Sequence, residues 1–277
     1  MKKVKGVIFD WAGTTVDFGC FAPVHAFFKI FEEKDIEITV KEAREPMGLA
    51  KIDHIRAIAE MPRVKKMWRE KYGKAPVESD VKELYQRFET VLMASLQDFT
   101  EPLPRVLDTV KFLRKKSIKI GSTTGYTSEM MSVVAKEAKK YGYAPDKLVT
   151  PEEVGGYGRP YPYMIFKNMQ SLELKSTHSI IKIGDTCSDI KEAVNAGVWA
   201  VGNITGSSEM GLSQDDFKQL ANKERKSIMS KTEKSFMKSG ADFTIEGMAE
   251  VPELIEKINK LLSEGKRPNG CLEARKY

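Results

Sequence analysis

Short apolar runs and amphipathic stretches alternate along most of the chain. Val4–Asp10, Ile118–Thr123, Ser179–Gly184 and Trp199–Val201 are apolar runs ending at or beside Gly, Asp or Thr, and Asp242–Ile245 is a weaker fifth. Their length and punctuation predict buried strands. Apolar positions recur at helical spacing over Leu103–Lys116, Ser128–Tyr141, Tyr161–Leu172, Asp189–Ala196 and Met248–Leu262. Strand and helix in alternation predict an α/β fold, a parallel sheet with helices on both faces. In such sheets the reactive groups gather beyond the carboxyl ends of the strands. Asp10, the Ser122–Thr124 run and Asp185 each stand at such an end.

Residues 21–99 break the alternation. They contain no convincing strand, only amphipathic stretches at Pro23–Lys34, Lys51–Met61, Val64–Tyr72 and Asp80–Leu96. Glu101-Pro102-Leu103-Pro104 then punctuates the return to the α/β pattern. We expect a core of residues 1–20 and 100–262 carrying a helical domain, 21–99, inserted after the first strand. A helical continuation of one domain is the alternative. The polar tail, 263–277, is expected to be poorly ordered.

Composition narrows the function classes. The 277 residues are 41% hydrophobic and 30% charged, ordinary for a soluble domain with a substantial core. No apolar run approaches the ~20 residues that span a bilayer. The basic N-terminus turns apolar only briefly before Asp10, with no small-residue cleavage site, so no signal peptide is expected. Cys20, Cys187 and Cys271 lack metal-finger spacing and suit a reducing cytoplasm. The formal charge of +6 comes from 45 Lys and Arg scattered among 39 Asp and Glu, without a nucleic-acid-binding motif. Neither nucleic acid nor membrane is an expected partner.

Three stretches carry candidate chemistry. In "GVIFDWAGTTVD" (6–17), a strand delivers Asp10 into a loop with Gly13 and two threonine hydroxyls. A lone aspartate there more often caps the next turn. In "IGSTTGYT" (120–127), hydroxyls and Gly125 precede a helix start, where backbone N–H groups favour anions. In "SIIKIGDTCSDIKEA" (179–193), Asp185 ends a strand and Asp189 follows on the same side of the turn. Carboxylates gathered at strand ends suit a hard cation such as Mg²⁺. Each motif is weak alone; their order and spacing together are specific.

That order, with a basic residue in "GRPYP", resembles the four-motif pattern of the haloacid dehalogenase superfamily, and the insert resembles its cap. The resemblance implies a Rossmann-like core with Asp10 as the nucleophile that forms an aspartyl-phosphate. Asp10, Asp185 and the carbonyl of Ala12 would bind Mg²⁺. Thr124, with Gly125 beside it, would hold the phosphoryl group, and Arg159 would pair with phosphate and nucleophile. By itself Arg159 reads as an exposed loop arginine.

One residue departs from the superfamily's phosphatases, which carry a second aspartate two positions after the nucleophile to protonate an alkoxide. Here that position is Ala12, and Asp17 lies too far along the chain to replace it. The cap supplies a different chemistry in "REPMGLAKIDHIRAIAEMPR" (44–63). Gly48 is expected to break one helix and Lys51 to begin the next, with His54 one turn on. A lysine at a helix start is usually solvated surface. Held over a closed cationic site at a helix N-terminus, it would have a lowered pKa. Neutral amines form imines with carbonyls, and a protonated imine can accept the electron pair of a breaking carbon–phosphorus bond.

"FDWAGTTVDFGCFAP", "PMGLAKIDHIRA", "KIGSTTGYTSEMM", "GRPYP" and "KIGDTCSDIKE" together resemble the phosphonoacetaldehyde hydrolase, or phosphonatase, family. The resemblance runs from about Val4 to Leu261. It implies that Lys51 forms a Schiff base with phosphonoacetaldehyde and that Asp10 takes the phosphoryl group, releasing acetaldehyde and phosphate. His54 would be a proton-transfer partner, and Met47, Cys20 and Tyr126 lesser site residues. Cys20 reads equally as a buried linker residue, and Met47 as cap core. A homodimer is also implied. The alternatives are an Mg²⁺-dependent phosphatase or phosphomutase of a small phosphorylated metabolite, and a catalytically silent phosphate-binding protein.

Overall fold

Six strands pair in parallel in the order β3-β2-β1-β4-β5-β6. They are β1 (Gly6–Phe9), β2 (Lys119–Thr123), β3 (Lys147–Val149), β4 (Ile180–Gly184), β5 (Trp199–Asn203) and β6 (Phe243–Ile245). These coordinates are a computed structural model that describes residues 3–47 and 49–269. Gly48, read from the sequence as a helix breaker, and Cys271 lie outside the described residues.

β1 sits at the centre, and its side chains alternate between faces with period two. Val7 and Phe9 enter one apolar cluster, while Ile8 enters the other with Ile165, Ile190 and Phe236. Both faces of the sheet are therefore covered, which is why the strands read as unbroken apolar runs. The covering helices are α6 (Val106–Lys115), α7 (Ser128–Lys140), α8 (Tyr163–Ser171), α9 (Cys187–Ala196), α11 (Asn222–Lys238) and α12 (Val251–Ser263), while α10 (Gln214–Gln219) buries none of its residues and sets Phe217 against Phe18. β3, α10 and α11 were not expected. β3 has only three residues, and α11 buries only Thr232 and Phe236 of its 17, too thin an apolar stripe to read as a core helix.

Five helices lie between β1 and α6, in the segment expected as a cap: α1 (Phe21–Glu32), α2 (Val40–Arg44), α3 (Lys51–Glu60), α4 (Pro62–Tyr72) and α5 (Glu78–Ser95). α2 also escaped the sequence reading, being a five-residue helix closed by a Thr39–Glu42 capping box. Phe27 of α1 stacks on Phe88 of α5 with ring centroids 4.6 Å apart. Two linkers join cap to core. In the first, the Asp17 carboxylate accepts the N–H groups of Phe21 and Ala22 at 2.9 and 3.1 Å, capping α1. In the second, the Leu103 N–H donates to the Thr15 carbonyl at 2.9 Å. At the C-terminal end, the Asn269 N–H donates to Asp242 at 2.8 Å. No helix among the described residues is long and apolar enough to cross a membrane.

Candidate active site

Asp10 continues β1 by one backbone bond, its N–H donating to the Ile183 carbonyl at 2.9 Å. Its carboxylate emerges at the carboxyl edge of the sheet and pairs with the Arg159 guanidinium. Asp185 emerges from neighbouring β4 and accepts two hydrogen bonds from Ser208, N–H at 2.8 Å and Oγ at 2.6 Å. The Thr14 hydroxyl lies between the two acids, 3.4 Å from Asp10 and 3.3 Å from Asp185. Gly13, at φ +85°, turns the loop close over them, and a Cβ there would run into the Asp185 carboxylate.

Burial pushes the Asp185 carboxyl well above its usual range, and the charges of Asp10 and Asp189 push it further. Asp10, Asp185 and Asp189 each offer an oxygen within 4.8 Å of the others. Such buried, mutually repelling oxygens, under a loop with no room for a Cβ, fit a hard divalent cation.

Asp189 stands behind this edge. Its Oδ1 is ion-paired with Lys182 at 2.9 Å and Arg159 at 3.2 Å, and its Oδ2 accepts the Thr186 hydroxyl at 2.6 Å. Burial raises its pKa, but Arg159 and Lys182 outweigh burial and hold the carboxyl below its usual range. Arg159 is buried rather than loop-exposed. Besides Asp10 and Asp189 it reaches Glu192 at 3.2 Å and the Thr123 hydroxyl at 3.0 Å. Lys182 donates to the same hydroxyl at 2.7 Å.

The cap closes the site from above. Lys51 opens α3 and is only 6% exposed. Its Nζ lies 5.2 Å from the Tyr126 ring centroid and 5.9 Å from that of Phe27. Among the described residues no carboxylate lies within ion-pair distance of it. Burial pushes the Lys51 pKa down; Cys20 and Asp10 pull it back and Arg159 lowers it further. His54 packs on Phe27 with centroids 4.0 Å apart, and its Nε2 lies 2.9 Å from the Ala43 carbonyl. Its pKa is driven well below the usual range by burial and then by Lys51. The ring is thus neutral, with Nε2–H donating and Nδ1 left as an acceptor.

Asp10, Ala12, Thr124, Gly125, Arg159 and Asp185 of the core line one cavity. Cys20, Met47, Lys51 and Tyr126 complete its walls. His54 and Asp189 stand outside it. The sequence reading missed Thr186 and Ser208, which also line it, and the supporting Lys182 and Glu192. Lys182 had a signal, a charge inside the apolar run "IIKIG", whereas Ser208 comes from a distant loop and had none. The cavity holds ≈ 20 Å³, room for about one water.

The haloacid dehalogenase-like hydrolase family matches residues 4–197. A phosphonoacetaldehyde hydrolase of Lysinibacillus sphaericus is 54% identical over 261 residues, 94% of this chain and 97% of that protein. One from Parabacteroides distasonis is 53% identical over 94% of this chain and 98% of its own. A bifunctional phosphonoacetaldehyde hydrolase/aminoethylphosphonate transaminase of Clostridioides difficile is 52% identical over 93% of this chain, which spans 40% of that protein. The crystal structure of a phosphonoacetaldehyde hydrolase-like protein from Oleispira antarctica superposes with a TM-score of 0.93 at 35% identity, covering 96% of each chain. The chain belongs to the phosphonoacetaldehyde hydrolase family of the haloacid dehalogenase-like hydrolases.

Proposed function

We propose that this protein hydrolyses phosphonoacetaldehyde to acetaldehyde and phosphate, using Lys51 and Asp10 as its two nucleophiles. The observation that carries the reading is that Lys51 of the helical insert and Asp10 at the end of β1 line one cavity. Burial leaves a larger fraction of Lys51 as the free amine than an exposed lysine has. The amine adds to the aldehyde and loses water, giving an imine that is then protonated. An Asp10 carboxylate oxygen attacks phosphorus as the carbon–phosphorus bond breaks, and its electron pair passes into the iminium to leave an enamine. Protonation of the enamine carbon and hydrolysis of the imine release acetaldehyde and restore Lys51. Water then cleaves the aspartyl-phosphate to return Asp10 and free phosphate.

Arg159 and Thr124 bind and orient the phosphoryl group, with Gly125 allowing close approach. His54, neutral and one turn from Lys51, serves proton transfer at the imine. Asp189 keeps Arg159 in place. Tyr126 carries the Lys51 ammonium over its ring, while Met47 and Cys20 exclude water around the imine. The divalent cation, which we take to be Mg²⁺, would be held by Asp10, Asp185 and the Ala12 carbonyl and would screen charge between Asp10 and the phosphonate.

Ala12 favours this reading over a phosphate-ester hydrolase, because an enamine needs no acid to leave. Asp17 is unavailable as a replacement, its carboxylate being taken up by two N–H groups at the start of α1. The free thiols of Cys20 and Cys187 support a cytoplasmic setting, and the family suggests a homodimer, which light scattering would check. Activity is tested by coupled detection of acetaldehyde and phosphate with Mg²⁺ present. Equal release of both from phosphonoacetaldehyde, with little turnover of phosphate monoesters, is expected. Faster turnover of a monoester would overturn the assignment.

A further inference from the structure

Ser208 holds Asp185 with two bonds of 2.8 and 2.6 Å, and the loop that carries it is tied to the cap. Arg44 closes α2 and points its Nη1 at the first linker, donating to the Gly19 carbonyl at 2.7 Å. Its guanidinium lies 4.7 Å from the Phe21 ring centroid, and Nη1 also faces the Ser208 carbonyl at 3.5 Å. Nε and Nη2 of Arg44 find no hydrogen-bond partner among the described residues. Its hold on the junction therefore rests on Nη1 and the ring. The Gly19 N–H in turn donates to the Gly206 carbonyl at 2.7 Å. Ser208 stands two residues beyond Gly206.

Backbone shape fixes this path. Gly19 and Gly206 have φ of +82° and +86°. A Cβ at Gly19 would meet the Leu212 carbonyl, and one at Gly206 would meet Leu103 of the second linker and Phe18 of the first. The contact thus lies where both linkers meet the Asp185-supporting loop, at two glycines whose neighbours leave no room for a Cβ.

We propose that Arg44, acting through Gly19, Gly206 and Ser208, is a positioning residue for Asp185, so that seating of the cap orients a metal-binding carboxylate. The proposal rests on the reading of Asp185 as a ligand of the divalent cation. Coupling of this kind is reciprocal: cap seating and cation binding strengthen each other by the same factor. Arg44 does not itself line the cavity and forms no ion pair with a carboxylate there. Its charge does act on Asp185 through space, but losing that charge would favour a cation, so weaker binding in Arg44→Ala reads the path and not the charge.

The test is Mg²⁺ alone titrated calorimetrically into the full chain, without substrate, for wild type and variants. Asp185→Asn is expected to abolish binding, and Ser208→Ala to weaken it about tenfold or more. Arg44→Ala is expected to weaken it about fivefold or more. The Ser208→Ala variant keeps the residue-208 N–H bond to Asp185, so the Arg44→Ala/Ser208→Ala double variant is expected to lose less than the two single losses combined, the non-additivity of one shared path. Wild-type affinity in Arg44→Ala, or additive losses in the double variant, would overturn the relay. Wild-type affinity in Asp185→Asn would instead overturn the ligand reading beneath it. Arg44→Lys keeps one donor for the Gly19 carbonyl and is expected to fall between wild type and Arg44→Ala. Should the alanine variant not fold, Arg44→Met, which keeps the apolar stem and loses the donor, replaces it, and wild-type affinity in that variant overturns the relay.

Discussion

Lys51 Nζ stands 5.2 Å from the Tyr126 ring centroid in a cavity that Asp10 also lines. A lysine so placed is disfavoured as an ammonium, chiefly by burial. The sign follows from linkage. A lysine whose folded pKa lies below its unfolded value destabilises the fold at low pH. That cost shrinks as pH rises from the folded pKa towards 10.5. Lys51→Met is therefore expected to be more stable than wild type at neutral pH, with the gap closing as pH approaches 10.5. Urea midpoints across pH 7–10 check this. A gap that widens with pH would show that Lys51 is not held as a disfavoured cation.

Asp17 works in the opposite direction. Burial raises its pKa to about 7, against the N–H groups of Phe21 and Ala22, which lower it. A carboxyl with a raised folded pKa stabilises fully below its unfolded pKa of 3.8, and that contribution is lost as pH rises through about 7. Wild type is expected to lose stability relative to Asp17→Asn between about pH 4 and 7, by at most about 1.4 kcal/mol per pH unit. Equal pH slopes in the two proteins would contradict the assignment.

The buried charges beneath the phosphate site form one network. Lys182 ion-pairs with Asp189 at 2.9 Å and Glu192 at 3.4 Å, in a place where water cannot replace it. Lys182→Met leaves Arg159 alone to offset both acids and is expected to cost about 3–5 kcal/mol in chemical denaturation. A loss under about 1 kcal/mol would mean the network relaxes around the gap.

The two loop residues after Asp10 make separate predictions. Gly13→Ala forces a side chain into the left-handed region, costing about 1–2 kcal/mol of stability, and drives its Cβ at the Asp185 carboxylate. Weakened Mg²⁺ binding should accompany the lowered urea midpoint. Ala12→Asp adds a like charge near Asp10 and Asp185 and is expected to slow phosphonoacetaldehyde cleavage, measured as acetaldehyde release. Faster cleavage would revive a need for a general acid.

Much of this architecture was legible in the chain itself. Strands such as Ile180–Gly184 announced themselves because burial on both faces leaves an unbroken apolar run. Lys147–Val149 did not, since three residues at a sheet edge, two of them half-buried, carry almost no pattern. Asp10, Thr124 and Asp185 were found because strand ends are where such sheets place chemistry. Lys182, Glu192 and Ser208 act through other side chains from three separate segments, and only packing brings them together. His54 and Asp189, expected as binding or supporting residues, do not line the cavity, although an Asp189 oxygen lies within 4.8 Å of Asp10 and Asp185.

The central claim is that Lys51 becomes covalently bonded to the substrate carbon. Incubation with phosphonoacetaldehyde and borohydride, followed by peptide mass spectrometry, reads this directly. The account predicts a reduced adduct on Lys51, absent in Lys51→Arg, which should keep its fold and lose turnover. Acetaldehyde release by wild type with no adduct, or normal turnover by Lys51→Arg, would contradict it.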